Sequence, residues 1–388
     1  MSKQKVLGFI QKYTMIIVLV LVTLYFTLGT KGKILQPNNI TSIIAQNAYV
    51  FVLASGMLLC ILTGGNIDLS VGSVVCFAGA IGAVMLDKGM NPVLAVLVML
   101  VIGALIGAWQ AFWIAYIKVP PFITTLSGML AFRGLSNVIL QGKTIPVSHP
   151  TFVRIFGGGA DCYIPDFFGG SSLNILCLIV GAAAAIIYVA TSLRTRSKRI
   201  KANQVVDPIV TFTVRTVAIT AVILFFTLKL AQFKGIPTSL ICVAIVIGVY
   251  TYITSKTTIG RHLYAVGGNE VATRLSGIDT RKVFFFAYTN MGFLAGLAGI
   301  LTIARFTSAA PTYGNNYEMD AIGSCFIGGA SAYGGVGTVP GVIVGAILMG
   351  VINIGMSIMG VDANYQKVVK GLVLLAAVVF DVVSKKKK

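Results

Sequence analysis

The stretch "LTGGNIDLSVGS", residues 62–73, decides how this chain is read. An apolar run over 47–63 stops at Gly64 and Gly65, presents Asn66, Asp68 and Ser70, and gives way to a second apolar run. A carboxylate set between two hydrocarbon-compatible segments is costly unless something satisfies it. Two glycines release a helix, and Asn66 and Asp68 carry oxygens able to cap one that restarts near Ser70. The expectation is a capped helix break. Whether the break also lines or gates a polar path stays open at this point.

Working outward, the composition sets the class. Of 388 residues, 56% are hydrophobic and 11% charged, where about 25% charged is usual for soluble domains. Apolar segments recur near 13–30, 42–63, 70–86, 93–117, 122–140, 173–193, 213–231, 236–254, 283–304, 319–333, 339–358 and 366–383. About 20 such residues cross a bilayer, so an all-α polytopic membrane protein is expected. The segments flanking Asp68 and those around 328–341 are short and glycine-interrupted, which predicts discontinuous helices. About ten transmembrane helices are expected, with twelve as the alternative. Residues 1–388 read as a single transmembrane domain, since no piece between spans reaches the roughly 50 residues of a foldable soluble domain. Similarity of 61–75 to 326–345, and of 118–126 to 234–242, suggests an internal repeat. General Gly and Pro richness of membrane helices is the plainer reading.

The net charge of +19 is unevenly placed. Cations gather at Lys3, Lys5 and Lys12, between Arg194 and Lys201, between Lys256 and Lys282, and at Lys385 to Lys388. The loop 141–172 carries only Lys143 and Arg154, balanced by Asp161 and Asp166. By the positive-inside rule the 1–12 tail, the 255–282 loop and both termini are cytoplasmic, and 141–172 is extracytoplasmic. The basic tail reads as a topology and anionic-lipid anchor in the bilayer, not as a nucleic-acid contact.

Several chemistries lack their residues. The nearest approach to a phosphate loop ends at Gly142–Thr144, with Asn137 where its first glycine belongs. The two histidines, His149 and His262, fall in loops on opposite sides, and the six cysteines form no C-x-x-C pair. No catalytic residue, metal site or cofactor of the chain's own is expected, and the chain does not read as an enzyme. Among eleven acids only Asp68 is flanked directly by apolar segments without a neighbouring charge, so ion coupling is poorly furnished. Arg133 reads as the one long cation within a span, needing a carboxylate, backbone carbonyls or a cavity. Trp109, Phe112 and Trp113 read as an interfacial anchor more readily than as a sugar-facing surface.

The second informative stretch is "TTIGRHLYAVGGNEVATRLSGIDTRK", 257–282. Its spacing predicts a short helix over 269–277, with Asn269 as N-cap, Glu270 in the first turn and Gly277 as the stop. About eight residues do not hold a helix alone, so a cytoplasmic partner or the membrane domain's own underside must support it.

"GGNIDLSVGS", "KVPPFITTLSGMLAFRG", "GRHLYAVGGNEVATRLSGI" and "IGGASAYGGVGTVPG" together resemble the permease subunit of bacterial ABC sugar importers of the ribose/xylose class. The resemblance runs from about residue 40 to 380 and is nearest to xylose and multiple-monosaccharide permeases. It implies a homodimer in the bacterial cytoplasmic membrane, a separate cytoplasmic ATPase that binds ATP, and an extracytoplasmic binding protein delivering a monosaccharide. It also implies that Gly268, Asn269, Glu270, Ala272, Arg274 and Gly277 form the coupling helix for that ATPase. Gly64, Gly65, Asn66, Asp68 and Ser70 would then mark a helix interruption near the translocation pathway. A secondary transporter and a membrane-embedded enzyme are the competing readings.

Overall fold

A computed structural model describes residues 3–386 except 160–161, 171–172 and 207, with side chains from Met15 to Val383 apart from Phe380. Asp161, Lys387 and Lys388 therefore lie outside the described residues, as do the side chains of Lys3, Lys5, Lys12, Lys385 and Lys386. The first half contains α1 (Lys3–Gly29), α2 (Pro37–Gln46), α3 (Ala48–Leu62), α4 (Val71–Asp87), α5 (Pro92–Ala115), α6 (Pro121–Leu140), α7 (Pro150–Phe156) and α8 (Ile175–Lys201). The second contains α9 (Ile209–Ala231), α10 (Thr238–Lys256), α11 (Thr258–Gly268), α12 (Glu270–Leu275), α13 (Thr280–Phe306), α14 (Tyr317–Ile327), α15 (Val339–Ile358) and α16 (Ala363–Lys386). Strand pairing among the described residues is confined to β1 (Ile145–Pro146) against β2 (Ser308–Ala309) and a bridge from Tyr163 to Pro237.

The chain is an all-α polytopic membrane protein. Among the described residues, seven helices are long and apolar enough to cross a bilayer: α5, α6, α8, α9, α10, α13 and α15. The pair α2 and α3, bent by 43°, makes an eighth, and Met15–Gly29 and α4 are shorter apolar helices. A count of about ten thus depends on the short and bent pieces, as the interrupted segments led one to expect.

Two compact units divide the chain. One takes in the chain up to Ile34, Ile43–Cys162, and everything from Thr238 onward. Helix α3 lies at its heart, apolar on all sides and buried from Val50 to Leu62, as a fully surrounded helix must be. Leu53, Met57 and Leu58 share this core with Met291 and Leu294 of α13. Helices α5 and α13 approach closely because Gly103 and Gly107 face Gly292 and Gly296, where a methyl would meet the opposing backbone. Small residues four apart on both helices are a packing device suited to lipid, where dispersion contact has to replace the hydrophobic effect.

The other unit comprises Leu35–Ser42 and Tyr163–Pro237. Its main feature is the hairpin of α8 and α9, closed where Gly181 leaves room for Thr227. Asp166, which the sequence reading treated as a balancing charge, is a structural group here. Its carboxylate accepts backbone hydrogen bonds from Ile175 at 2.8 Å and Leu176 at 3.3 Å in the first turn of α8. Phe168 at 3.0 Å and Gly170 at 3.2 Å complete the set. Asn174 caps the same turn through Cys177 N–H at 2.8 Å.

Candidate functional site

The break at the end of α3 forms as its residues dictate, with two corrections. Gly64 and Gly65 take φ of 127° and 77°, conformations open to glycine at little cost. Asn66 does not cap the helix that follows. Its Nδ2 instead donates back to the Thr63 carbonyl at 3.3 Å, satisfying the end of α3. Asp68 does not reach into α4 either. Its Oδ1 accepts the N–H of Ser70 at 2.8 Å and the Ser70 hydroxyl at 2.7 Å, and Ser70 itself occupies the N-cap position of α4. Gln110 of α5 donates to the Ser70 hydroxyl at 2.8 Å. Asp68, Ser70 and Gln110 are all buried, whereas Gly64 is exposed. The carboxylate thus anchors the turn to α5 from within, and only the lip of the break is open.

A second break separates α14 from α15, and the two meet. The Leu62 carbonyl accepts the N–H of Gly335 at 3.1 Å. Gly65 packs on the Ala332 carbonyl, and Gly334 on the Gly64 backbone, so closely that neither position has room for a methyl. Ala332 N–H also donates to Asp381 of α16 at 3.1 Å. The stretches 61–75 and 326–345 are therefore neighbours. Their order relative to 118–126 and 234–242 is reversed between the halves, so a simple tandem repeat does not relate them.

Helix α11 joins this junction. Gly267 lies against the Leu62 carbonyl and the Gly335 amide, and the Tyr264 hydroxyl donates to the Gly337 carbonyl at 2.7 Å. Immediately beyond, Asn269 caps α12 by accepting Ala272 N–H at 2.9 Å, and Gly277 with φ 85° ends it. The expected short helix is present as six residues, Glu270–Leu275. Its inner side is held by buried Thr273 and by Glu270, which pairs with Lys118 at 3.3 Å and accepts from the Thr280 hydroxyl at 3.1 Å. Ala272, Arg274 and Gly277 are exposed, and so are Val271 at 58% and Leu275 at 81%. A groove of about 400 Å³ beside the helix is lined by Lys118, Arg274, Asp279 and Arg281 among others. Own-surface support and an open outer face thus coexist.

The sequence reading missed a second buried carboxylate. Asp320 of α14 is 1% exposed and pairs with Lys370 of α16 at 2.8 Å, while the Tyr49 hydroxyl of α3 donates to it at 2.8 Å. In the sequence Asp320 stands at the start of a weak apolar segment, which gives no sign of its burial. Lys370 gave the available signal, a cation inside the apolar run 366–383. Arg133 is accordingly not the one long cation within a span. Its own partners are backbone carbonyls, of Tyr313 at 2.6 Å and Pro311 at 3.2 Å. Trp109, Phe112 and Trp113 form an exposed edge-to-face cluster.

Residues 39–378 match the family model described as "Branched-chain amino acid transport system / permease component". Over 380 residues the chain is 35% identical to the xylose transport system permease protein XylH of Escherichia coli K12, covering 97% of this chain and 93% of that protein. The XylH of Haemophilus influenzae is 34% identical, with 97% and 98% covered. The ribose import permease protein RbsC of E. coli K12 is 32% identical over 371 residues, with 96% and 93% covered. No solved structure matches. With its apolar spans, its paired helix breaks and these relatives, the chain belongs to the ribose/xylose class of ABC transporter permeases.

Proposed function

We propose that this permease translocates a monosaccharide, xylose or another pentose or hexose, across the bacterial cytoplasmic membrane by alternating access. A homodimer of the chain carries the pathway, a separate cytoplasmic ATPase binds ATP, and an extracytoplasmic binding protein delivers the sugar. Both termini and the 255–282 loop face the cytoplasm, and 141–172 faces outward.

One observation carries the reading: α11 is fixed at its C-terminal end to both helix breaks and continues through Asn269 into a short helix with an open apolar and basic face. Force applied to α12 reaches Leu62 and Gly335 through Asn269 and the backbone contacts of Gly267. Two discontinuous helices meeting at one point are the kind of element that can shift between packings while a cavity satisfies the freed backbone. Asp68 serves this by holding its turn, and its burial separates it from direct sugar contact.

The test is a mild-detergent pull-down of the full-length protein from its native membranes, with stoichiometry. A phosphate-loop ATPase near one-to-one, lost on Ala272→Pro, is the expected result; that substitution deletes the N–H which Asn269 accepts. A permease recovered alone that still moves sugar under an ion gradient would reassign the chain to secondary transport.

A further inference from the structure

The hairpin of α8 and α9 ends in a feature that sugar translocation does not use. Helix α8 has 27 residues, about 40 Å at 1.5 Å per residue, against a hydrocarbon core of about 30 Å. Its last two turns, from Arg194 to Lys201, therefore reach the headgroup layer. There, between the end of α8 and the start of α9, lies a cavity of about 280 Å³. Arg196, Arg199 and Arg215 line it, and no acidic residue does so among the described residues. The hydroxyls of Thr191, Thr195 and Thr216 also border it but donate to their own helices, which leaves the guanidinium groups together with the hydroxyls of Tyr188 and Ser192 facing the cavity.

Arg196 is held in place over the Phe212 ring, 4.8 Å from its centroid. Neither Arg199 nor Arg215 has a carboxylate partner among the described residues. The one acid in the stretch 194–215, Asp207, lies outside them, against six Lys and Arg. Arg199 and Arg215, two forked donors on one cavity, match a phosphate, which guanidinium groups bind bidentately. The flanks decide which phosphate. Ile186 and Ile187 on α8, and Val210 and Val214 on α9, are exposed apolar side chains within two positions in sequence of the lining residues Tyr188, Phe212 and Arg215, suited to acyl chains.

We propose that this cavity binds the phosphate headgroup of an anionic phospholipid, with its acyl chains lying along the apolar faces of α8 and α9. A soluble phosphate compound shares the headgroup chemistry but gains nothing from those faces.

The purified full-length protein in mild detergent, titrated with phosphatidylglycerol under native mass spectrometry, tests this. Phosphatidylcholine and glycerol 3-phosphate serve as comparisons. Arg199→Gln with Arg215→Gln is compared with Arg194→Gln and Lys201→Gln, which remove the same charge at exposed positions that do not line the cavity. Phosphatidylglycerol should bind roughly tenfold more tightly than phosphatidylcholine, the cavity pair should lose about tenfold, and the control pair less than twofold. Equal losses from the two pairs would reduce the effect to diffuse charge attraction and overturn the site. Glycerol 3-phosphate binding as tightly as the phospholipid would overturn the lipid assignment. Should the double variant unfold, Arg215→Gln alone provides the readout, with a loss of about threefold expected and none overturning the site.

Discussion

The amide of Gly335 donates to the carbonyl of Leu62 at 3.1 Å, and Gly267 closes over both groups. Three segments far apart in sequence thus meet at this point through their backbones. A methyl at Gly267 would collide with the Leu62 carbonyl, whereas Gly268 next to it has open space. Overpacking of this kind typically costs about 1–3 kcal/mol. Gly267→Ala should cut sugar uptake at least about tenfold while membrane insertion is preserved, and Gly268→Ala should stay within about twofold. Uptake in whole cells, normalised to the amount of inserted permease, decides the matter; equal effects of the two would disprove the junction's role.

Asp68 makes a second prediction. One oxygen of its carboxylate satisfies both the amide and the hydroxyl of Ser70. Asp68→Asn keeps an acceptor there and should lower stability moderately. Asp68→Ala orphans buried donors and should cost about 2–4 kcal/mol. Sugar preference should be unchanged in both, because the carboxylate is buried within the turn. Thermal unfolding in detergent and competition uptake with two sugars provide the measurements; a switch in preferred sugar would place Asp68 on the pathway instead.

Local features were legible in the sequence where one residue type has few alternatives. Gly64 and Gly65 at positive φ, Asn269 as an N-cap and Gly277 as a stop follow from backbone sterics and capping chemistry. The partners were not legible. That Asn66 turns backward to Thr63, that Asp68 stops at Ser70, and that Gln110 joins them depend on how α5 packs against the turn. Gly-Gly pairs could be seen at 64–65, 267–268 and 334–335, but their convergence is a tertiary fact. The pairing of Asp320 with Lys370 spans 50 positions, and no local periodicity carries such information.

That ion pair yields a third prediction. Asp320 and Lys370 link α14 to α16, with Tyr49 as the third member. Removing one partner leaves a charge buried alone, which costs about 3–5 kcal/mol, while removing both is far milder. Asp320→Asn and Lys370→Met should each destabilise strongly, and the double variant should recover most of the loss. A double-mutant cycle on unfolding in detergent reads the coupling; additive losses would mean that the two charges do not depend on each other.

The outer face of α12 predicts where the proposed ATPase partner would dock. Leu275 and Val271 are exposed and apolar, a state that a partner's cleft would relieve. Leu275→Asp touches nothing that holds α12 to its own chain, so the permease should insert and fold normally while ATPase co-purification drops about tenfold or more. Asn269→Ala acts differently: loss of the cap costs about 1 kcal/mol and should weaken co-purification only in part. Full ATPase recovery with Leu275→Asp would move the docking site elsewhere.

Acid should loosen the start of α8. Partial burial raises the pKa of Asp166, but the amides of Phe168, Ile175, Leu176 and Gly170 outweigh it and hold the carboxyl below the usual carboxylate range. A folded-state value lower than the unfolded one means that the carboxylate stabilises fully above the ordinary aspartate pKa of about 3.9. That contribution disappears as pH falls through the lower folded value. Amide hydrogen exchange over 166–176, corrected for intrinsic rates, should therefore speed up in that acid range and not between pH 5 and 8. In Asp166→Asn, which cannot ionise, the acid-dependent step should vanish, and its persistence would assign the loosening to another group.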